Sequence, residues 1–138
     1  MADVHSKETR SYNMSRIRSK GTKPEEMVCK YLFSRGLRYR KNDKRYPGRP
    51  DIVLPKYRTI VFVNGCFWHY HENCKSSHIP KSNSEYWRNK IERNVQRDNV
   101  NHSILRGAGW TVIVVWECEL KEITAQQRLE KLYKQIVE

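Results

Sequence analysis

The chain has 138 residues, of which 38% are hydrophobic and 30% charged, and its formal charge is +12. A length of this order suits one domain with a real but small core. No apolar run reaches the ~18–20 residues of a membrane span, and the opening MADVHSKETR has no apolar signal core, so membrane and secreted readings are excluded and a cytoplasmic protein is expected.

The charge is uneven. Residues 1–58 hold 16 Lys and Arg against 6 Asp and Glu, whereas residues 59–138 hold 11 against 9. A positive field concentrated in one half favours a polyanion such as nucleic acid, because each neutralised phosphate releases counterions. The plainer alternative is a basic surface that only keeps the chain dissolved. Four cysteines without an export signal point to a metal site or free thiols rather than a disulfide framework.

In chain order, residues 1–21 carry Lys7, Arg10, Arg16, Arg18 and Lys20 with little apolar periodicity, and read as a basic arm that orders on nucleic acid. Residues 22–138 read as a single domain. Thr22, Pro24 and Glu25 have capping-box spacing and predict a helix that buries Met27, Val28, Tyr31 and Leu32 and stops at Gly36. Residues 37–41 alternate as a short strand, and 46–50 are turn material because Pro and Gly punctuate. Residues 51–54 and 59–63 are β-rich runs expected to pair.

A loop over 65–81 is crowded with Cys, His and aromatic residues. A long helix is predicted over 84–106, with Trp87, Ile91 and Val95 on one face and a stop at Gly107 and Gly109. Residues 110–116 (WTVIVVW) are apolar on both faces and so are expected at the centre of the sheet. Thr124 should cap a last helix whose Leu129, Leu132, Tyr133, Ile136 and Val137 form one stripe. The sum is an α/β domain with a mixed central sheet flanked by helices.

Cys66, His71, Cys74 and the distant Cys118 offer the soft and imidazole donors of a tetrahedral Zn²⁺ site. His69 competes with His71 for the fourth place, since both spacings are legal. Buried free thiols are the bland alternative, and Cys29, in mid-helix, reads as core packing.

Asp51 opens a strand, and the neighbouring strand ends at Val63-Asn64-Gly65. A carboxylate beside a strand-end carbonyl supplies the hard oxygens that suit Mg²⁺. Many phosphodiesterases on such sheets place Glu-x-Lys one strand after Pro-Asp, but here that position reads Val-Asn-Gly, so another base must serve. His69 is the candidate, because imidazole can accept a proton at neutral pH. Asp51 could instead be a surface turn residue, His69 an unused loop histidine, and Glu25 only a cap. Asp98 shares the stripe of Ile91 and Val95, where a carboxylate would orient a histidine or pair with an arginine. Phe67, Trp68 and Trp87 are either core residues or side chains that insert between base steps.

The segments GRPDIV, NGCFWHYHENC, EYWRNKIERNVQRD and GWTVIVVWEC, with the opening MADVHSKETRSYNMSRIRSKGTKPE, closely resemble the Vsr-type very short patch repair endonucleases from residue 1 to about 120. The resemblance implies a monomeric, nucleoid-associated, Mg²⁺-dependent DNA endonuclease with a restriction-endonuclease-like fold and a structural zinc. Its implied partner is duplex DNA with a T:G mismatch left by deaminated 5-methylcytosine, nicked 5′ of the thymine, with mismatch-repair proteins as further partners. By matching positions, Asp51 and the Val63 carbonyl would hold Mg²⁺, His69 would be the general base, and Glu25 would act through metal-bound water. Asp98 falls on the family's acidic position in the long helix. The zinc ligands become Cys66, His71, Cys74 and Cys118, and Phe67, Trp68 and Trp87 become the wedge.

One departure stands out: Asn64 occupies the place of a second active-site histidine, and an amide can position a water but cannot take its proton. That leaves His69 as the sole base. It also lends support to an alternative, a non-catalytic zinc-stabilised mismatch-binding protein. A histidine–metal nuclease independent of Asp51 is a further alternative, and RNA binding has no motif behind it.

Overall fold

The computed structural model describes residues 22–71, 74 and 79–138; the basic arm expected over 1–21 lies outside them. Helix α1 (Lys23–Ser34) begins as its sequence dictates: Thr22 Oγ1 accepts from the Glu25 backbone N–H at 3.4 Å, and Pro24 occupies the first turn. Its buried side chains are Glu25, Val28, Cys29 and Leu32, whereas Met27, expected inside, is exposed. The helix stops at Arg35, and Gly36 takes the left-handed backbone (φ 83°) that ends it.

Four strands follow: β1 (Arg40–Lys41), β2 (Ile52–Leu54), β3 (Thr59–Asn64) and β4 (Thr111–Trp116). The strand expected over 37–41 shrinks to its last two residues, with Leu37 buried ahead of it. The order is β1-β2-β3-β4, with antiparallel pairs β1/β2 and β2/β3 and a parallel pair β3/β4. The parallel pair requires a long crossover, which α2 (Ser84–Gly107) supplies. A 3₁₀ turn (Glu117–Leu120) leads to α3 (Glu122–Val137). Thr124, expected as the cap, lies inside the first turn, where its hydroxyl donates to the Lys121 carbonyl at 3.1 Å.

The strands alternate faces with period two. Ile52, Leu54, Val61, Ile113 and Val115 pack with Val28, Leu32, Leu129, Leu132 and Ile136 of α1 and α3. Val53, Ile60 and Phe62 face the other way, onto Leu105 of α2, with Val112 and Val114 against them. Strand β4 therefore contacts apolar neighbours on both faces, which is why its sequence has the apolar character of a central strand. It nevertheless ends the order of described strands, and Arg128 of α3 reaches the Val114 carbonyl there at 3.4 Å. Replacing the fully buried Leu132 by Ala should cost about 2–5 kcal/mol in denaturant melts. Ile123→Ala, at a side chain 90% exposed, should stay within about 0.5 kcal/mol.

Candidate active site and metal centre

Strands β3 and β4 run parallel with Asn64 opposite Trp116, and each is followed two residues later by a cysteine, Cys66 and Cys118. The ligand atoms of Cys66, His71, Cys74 and Cys118 all lie within 4.8 Å of one another. Zinc–sulfur bonds of about 2.3 Å in a tetrahedron would put sulfurs about 3.8 Å apart, so three thiols and one imidazole at this spacing fit that ion in number, softness and size. His71 Nδ1 sits 3.6 Å from Cys66 Sγ and 3.3 Å from Cys118 Sγ. The His71 ring stacks flat on Trp116 at 4.2 Å, which fixes its plane. Glu119 braces the Cys118 turn: one carboxylate oxygen accepts from the Trp116 N–H at 2.7 Å, and the other lies 3.3 Å from Arg128 Nε. Burial pushes the Cys66 thiol up to about 12, and Cys118 also upward. A bound cation reverses that preference, since the thiolate is the ligand.

Between two members of this cluster lie Phe67, Trp68, His69 and Tyr70. The His69 N–H donates to the Gly65 carbonyl at 3.2 Å and the His71 N–H to the Cys66 carbonyl at 3.1 Å, winding the loop tightly. Tyr70 takes a left-handed backbone (φ 50°), and across that turn the two histidines part. His71 joins the cysteines, while His69 Nδ1 meets Asp98 Oδ2 of α2 at 2.5 Å. The two histidines that spacing alone leaves ambiguous thus go to different partners.

Asp51 precedes β2 and is buried, and its Oδ2 accepts from the Val63 N–H at 2.6 Å. A surface-turn role for Asp51 does not fit that burial. The contact brings together a carboxylate and the residue whose carbonyl is the second candidate oxygen ligand, so the donors are hard, as Mg²⁺ requires. Asn64 is buried at the next position and, by alternation, falls on the α2 side of the sheet with Phe62. Glu25 is buried in α1, and the Cys29 thiol, raised chiefly by burial, lies within electrostatic reach of both Glu25 and Asp51.

Phe67, Trp68 and Trp87 pack on one another edge to face, with centroids 5.1, 5.7 and 6.1 Å apart. All three are half-buried and belong to neither hydrophobic cluster. Sequence reasoning did not single out the groups that hold this loop: the Asn94 amide donates to the Trp68 carbonyl at 3.0 Å, and Lys90 Nζ lies 5.9 Å from the Trp68 ring centre. Nor did it single out His102, buried one turn beyond Asp98, its ring 4.6 Å from that of Phe62. The available signal was spacing, since Lys90, Asn94, Asp98 and His102 recur every four residues of α2.

Burial holds the His102 imidazole below its ordinary 6.5, Asp98 opposes that, and Arg106 and His69 add to it. An unfolded chain therefore takes up a proton here before the folded one does, and this contribution to stability is lost as pH falls below about 6.5. Thermal melts at about pH 7.5 and 5.5 should show a smaller acid-induced loss for His102→Phe than for the wild type.

Among the described residues no helix is long and apolar enough to cross a membrane. A family model described as DNA mismatch endonuclease Vsr matches residues 2–76. The type II nicking enzyme V.NmeAIP of Neisseria meningitidis is 53% identical over 137 residues, covering 99% of this chain and 97% of its own. The type II nicking enzyme V.XorIIP of Xanthomonas oryzae is 47% identical over 125 residues, 91% of each chain. The DNA mismatch endonuclease Vsr of Escherichia coli is 42% identical over 135 residues, 96% of this chain and 86% of its own.

Proposed function

Since the chain belongs to the DNA mismatch endonuclease Vsr family and is a DNA endonuclease, we propose that it nicks one strand of a duplex 5′ of the thymine in a T:G mismatch, using Mg²⁺ at Asp51 and a structural Zn²⁺ at the Cys/His cluster. The observation that carries the reading is the His69–Asp98 contact beside the aromatic cluster, which joins a general base to a device for opening a base step in one short loop. Two of the relatives are named nicking enzymes, which supports a cut in one strand. A restriction-endonuclease-like arrangement and a monomer acting in the nucleoid, alone or beside mismatch-repair proteins, complete the proposal.

The geometry supports a role for each residue. With Nδ1 engaged by Asp98, the protonated nitrogen of neutral His69 is Nδ1, and Nε2 is left to accept a proton from water. Asp98 then stabilises the imidazolium that forms. Asp51 and the Val63 carbonyl would hold Mg²⁺, which when bound stabilises charge on the scissile phosphate and the leaving 3′ oxygen. Glu25 would orient water in that shell, and Asn64, an amide, would position water or phosphate without exchanging a proton. Cys66, His71, Cys74 and Cys118 would hold Zn²⁺ in a closed four-ligand site, whose chemistry is structural rather than catalytic.

Phe67, Trp68 and Trp87 would enter the stack beside the mismatch. Unstacking costs a few kcal/mol and least at a mispair, so deformability itself discriminates.

The test is a strand-labelled duplex with one T:G mismatch beside a matched duplex, each with Mg²⁺ or with EDTA. The expected product is a Mg²⁺-dependent nick 5′ of the thymine in the mismatched duplex only. Equal cutting of both duplexes would overturn the mismatch reading, and cutting in EDTA would overturn the metal.

A further inference from the structure

Helix α2 turns one polar row toward the loop and β3. Lys90 Nζ lies 5.9 Å from the Trp68 ring centre, Asn94 bonds the Trp68 carbonyl and Asp98 bonds His69; the fourth member, His102, packs on Phe62 of the strand that ends in Val63 and Asn64. His102 thus occupies the seam between the Asp98–His69 pair and the strand beside Asp51. It is buried, and there an imidazole is an expensive choice. An apolar side chain would fill the space beside Phe62 without the penalty of desolvating a polar ring. What the imidazole adds is polarity next to Asp98, one turn earlier on the same face of α2 and within electrostatic reach. The Asp98 side chain is only 25% exposed. A carboxylate held between a helix and a loop keeps its place only against neighbours that suit a polar group, and the seat of Asp98 is what engages His69 Nδ1 and leaves Nε2 open.

We propose that His102 is a positioning residue for the Asp98–His69 pair, the polar neighbour on α2, packed against Phe62 of β3, that keeps Asp98 seated against His69. This rests on the reading of His69 as the base. His102 touches neither substrate nor metal in this role and acts only through Asp98.

A packing role and a polar role make different predictions for two kinds of variant. His102→Phe and His102→Leu keep an apolar filler beside Phe62, whereas His102→Gln keeps a neutral polar group. Single-turnover nicking of the T:G duplex, normalised to the bound fraction, should fall about 10-fold in the Phe and Leu variants, as expected for a slightly misplaced catalytic group. Their Kd for the same duplex should stay within about two-fold of wild type. His102→Gln should recover to within about three-fold of the wild-type rate.

Wild-type turnover in the Phe variant would reduce His102 to packing and overturn the proposal. So would a Gln variant as slow as the Phe variant. Asp98→Asn serves as the control. If it too nicks at the wild-type rate, the reading of His69 and Asp98 as the base falls, and the proposal with it. If Asp98→Asn is slow while His102→Phe is not, only the assignment of His102 falls.

Discussion

Asp51→Asn should leave a protein that folds, binds mismatched DNA and does not nick it. The amide is isosteric with the carboxylate, so its oxygen can still accept from the Val63 N–H, the 2.6 Å contact that ties the start of β2 to the end of β3. What disappears is the charge that would hold Mg²⁺. A metal ion contributes several kcal/mol to transition-state charge stabilisation, so the nicking rate should drop on the order of 10³-fold or more. Binding measured by gel shift in EDTA should be little changed, because the basic residues and the aromatic cluster are untouched. Asp51→Ala should show the same catalytic loss and an added stability cost of about 1–3 kcal/mol, since it deletes the buried acceptor as well. If both variants lost binding and activity together, Asp51 would be a structural residue. If Asp51→Asn kept wild-type turnover, the metal would belong to other groups.

The second large effect is expected at the cysteine cluster. Cys74→Ala removes one of the four proposed ligands, and if the cluster holds zinc as proposed, the purified variant should carry far less of it by elemental analysis. Loss of a structural metal is among the few single changes that exceed about 4 kcal/mol, which for a domain of this size is on the order of 15 °C in Tm. Nicking should fail with it, because Phe67, Trp68 and His69 lie between the proposed ligands Cys66 and His71, which would fix the loop's position. Cys29→Ala is the internal comparison. Cys29 is buried but lies in the apolar cluster of α1 and stands outside the metal-ligand group, so its loss should cost only about 1 kcal/mol and no zinc. Equal melting points for the two variants would mean that the cluster holds no structural metal.

Much of this arrangement was legible in the chain, and where it was not, the reason is physical. Helix α1 could be read because its signals are local: a threonine cap, a proline in the first turn and a glycine at the end act within a few residues of themselves. That Cys66, Cys74 and Cys118 gather with a histidine could be read from donor chemistry, whereas the choice of His71 over His69 came only with the family resemblance. Strand β4, last in the order of described strands, misled because apolarity reports packing on faces, and it has one buried and one half-buried face; position along the sheet is decided by hydrogen-bonding neighbours, which side chains do not encode. Met27 misled because a helical stripe has soft edges, and α1 turned Glu25 inward instead. The parting of His69 and His71 depends on the left-handed turn at Tyr70, a residue type that seldom adopts it and so gives no warning. His102 went unread because a polar row spaced every four residues on α2 reads as a solvated face until Phe62 is seen against it.

The equal offset of Cys66 and Cys118 from the paired residues Asn64 and Trp116 has a consequence for how the chain avoids error. Parallel pairing of β3 with β4 forms only after the whole intervening crossover has been placed, a slow and non-local event. During that wait two apolar strands could settle one residue out of step. A slip of one residue moves a strand by about 3.3 Å and turns its side chains to the opposite face. It would also draw Cys118 away from Cys66 by more than metal–sulfur bonds of about 2.3 Å can absorb. A bound metal would thus act as a proofreader of strand alignment: only the correctly aligned chain completes the four-ligand site, and misaligned forms are left without that stabilisation and free to unpair.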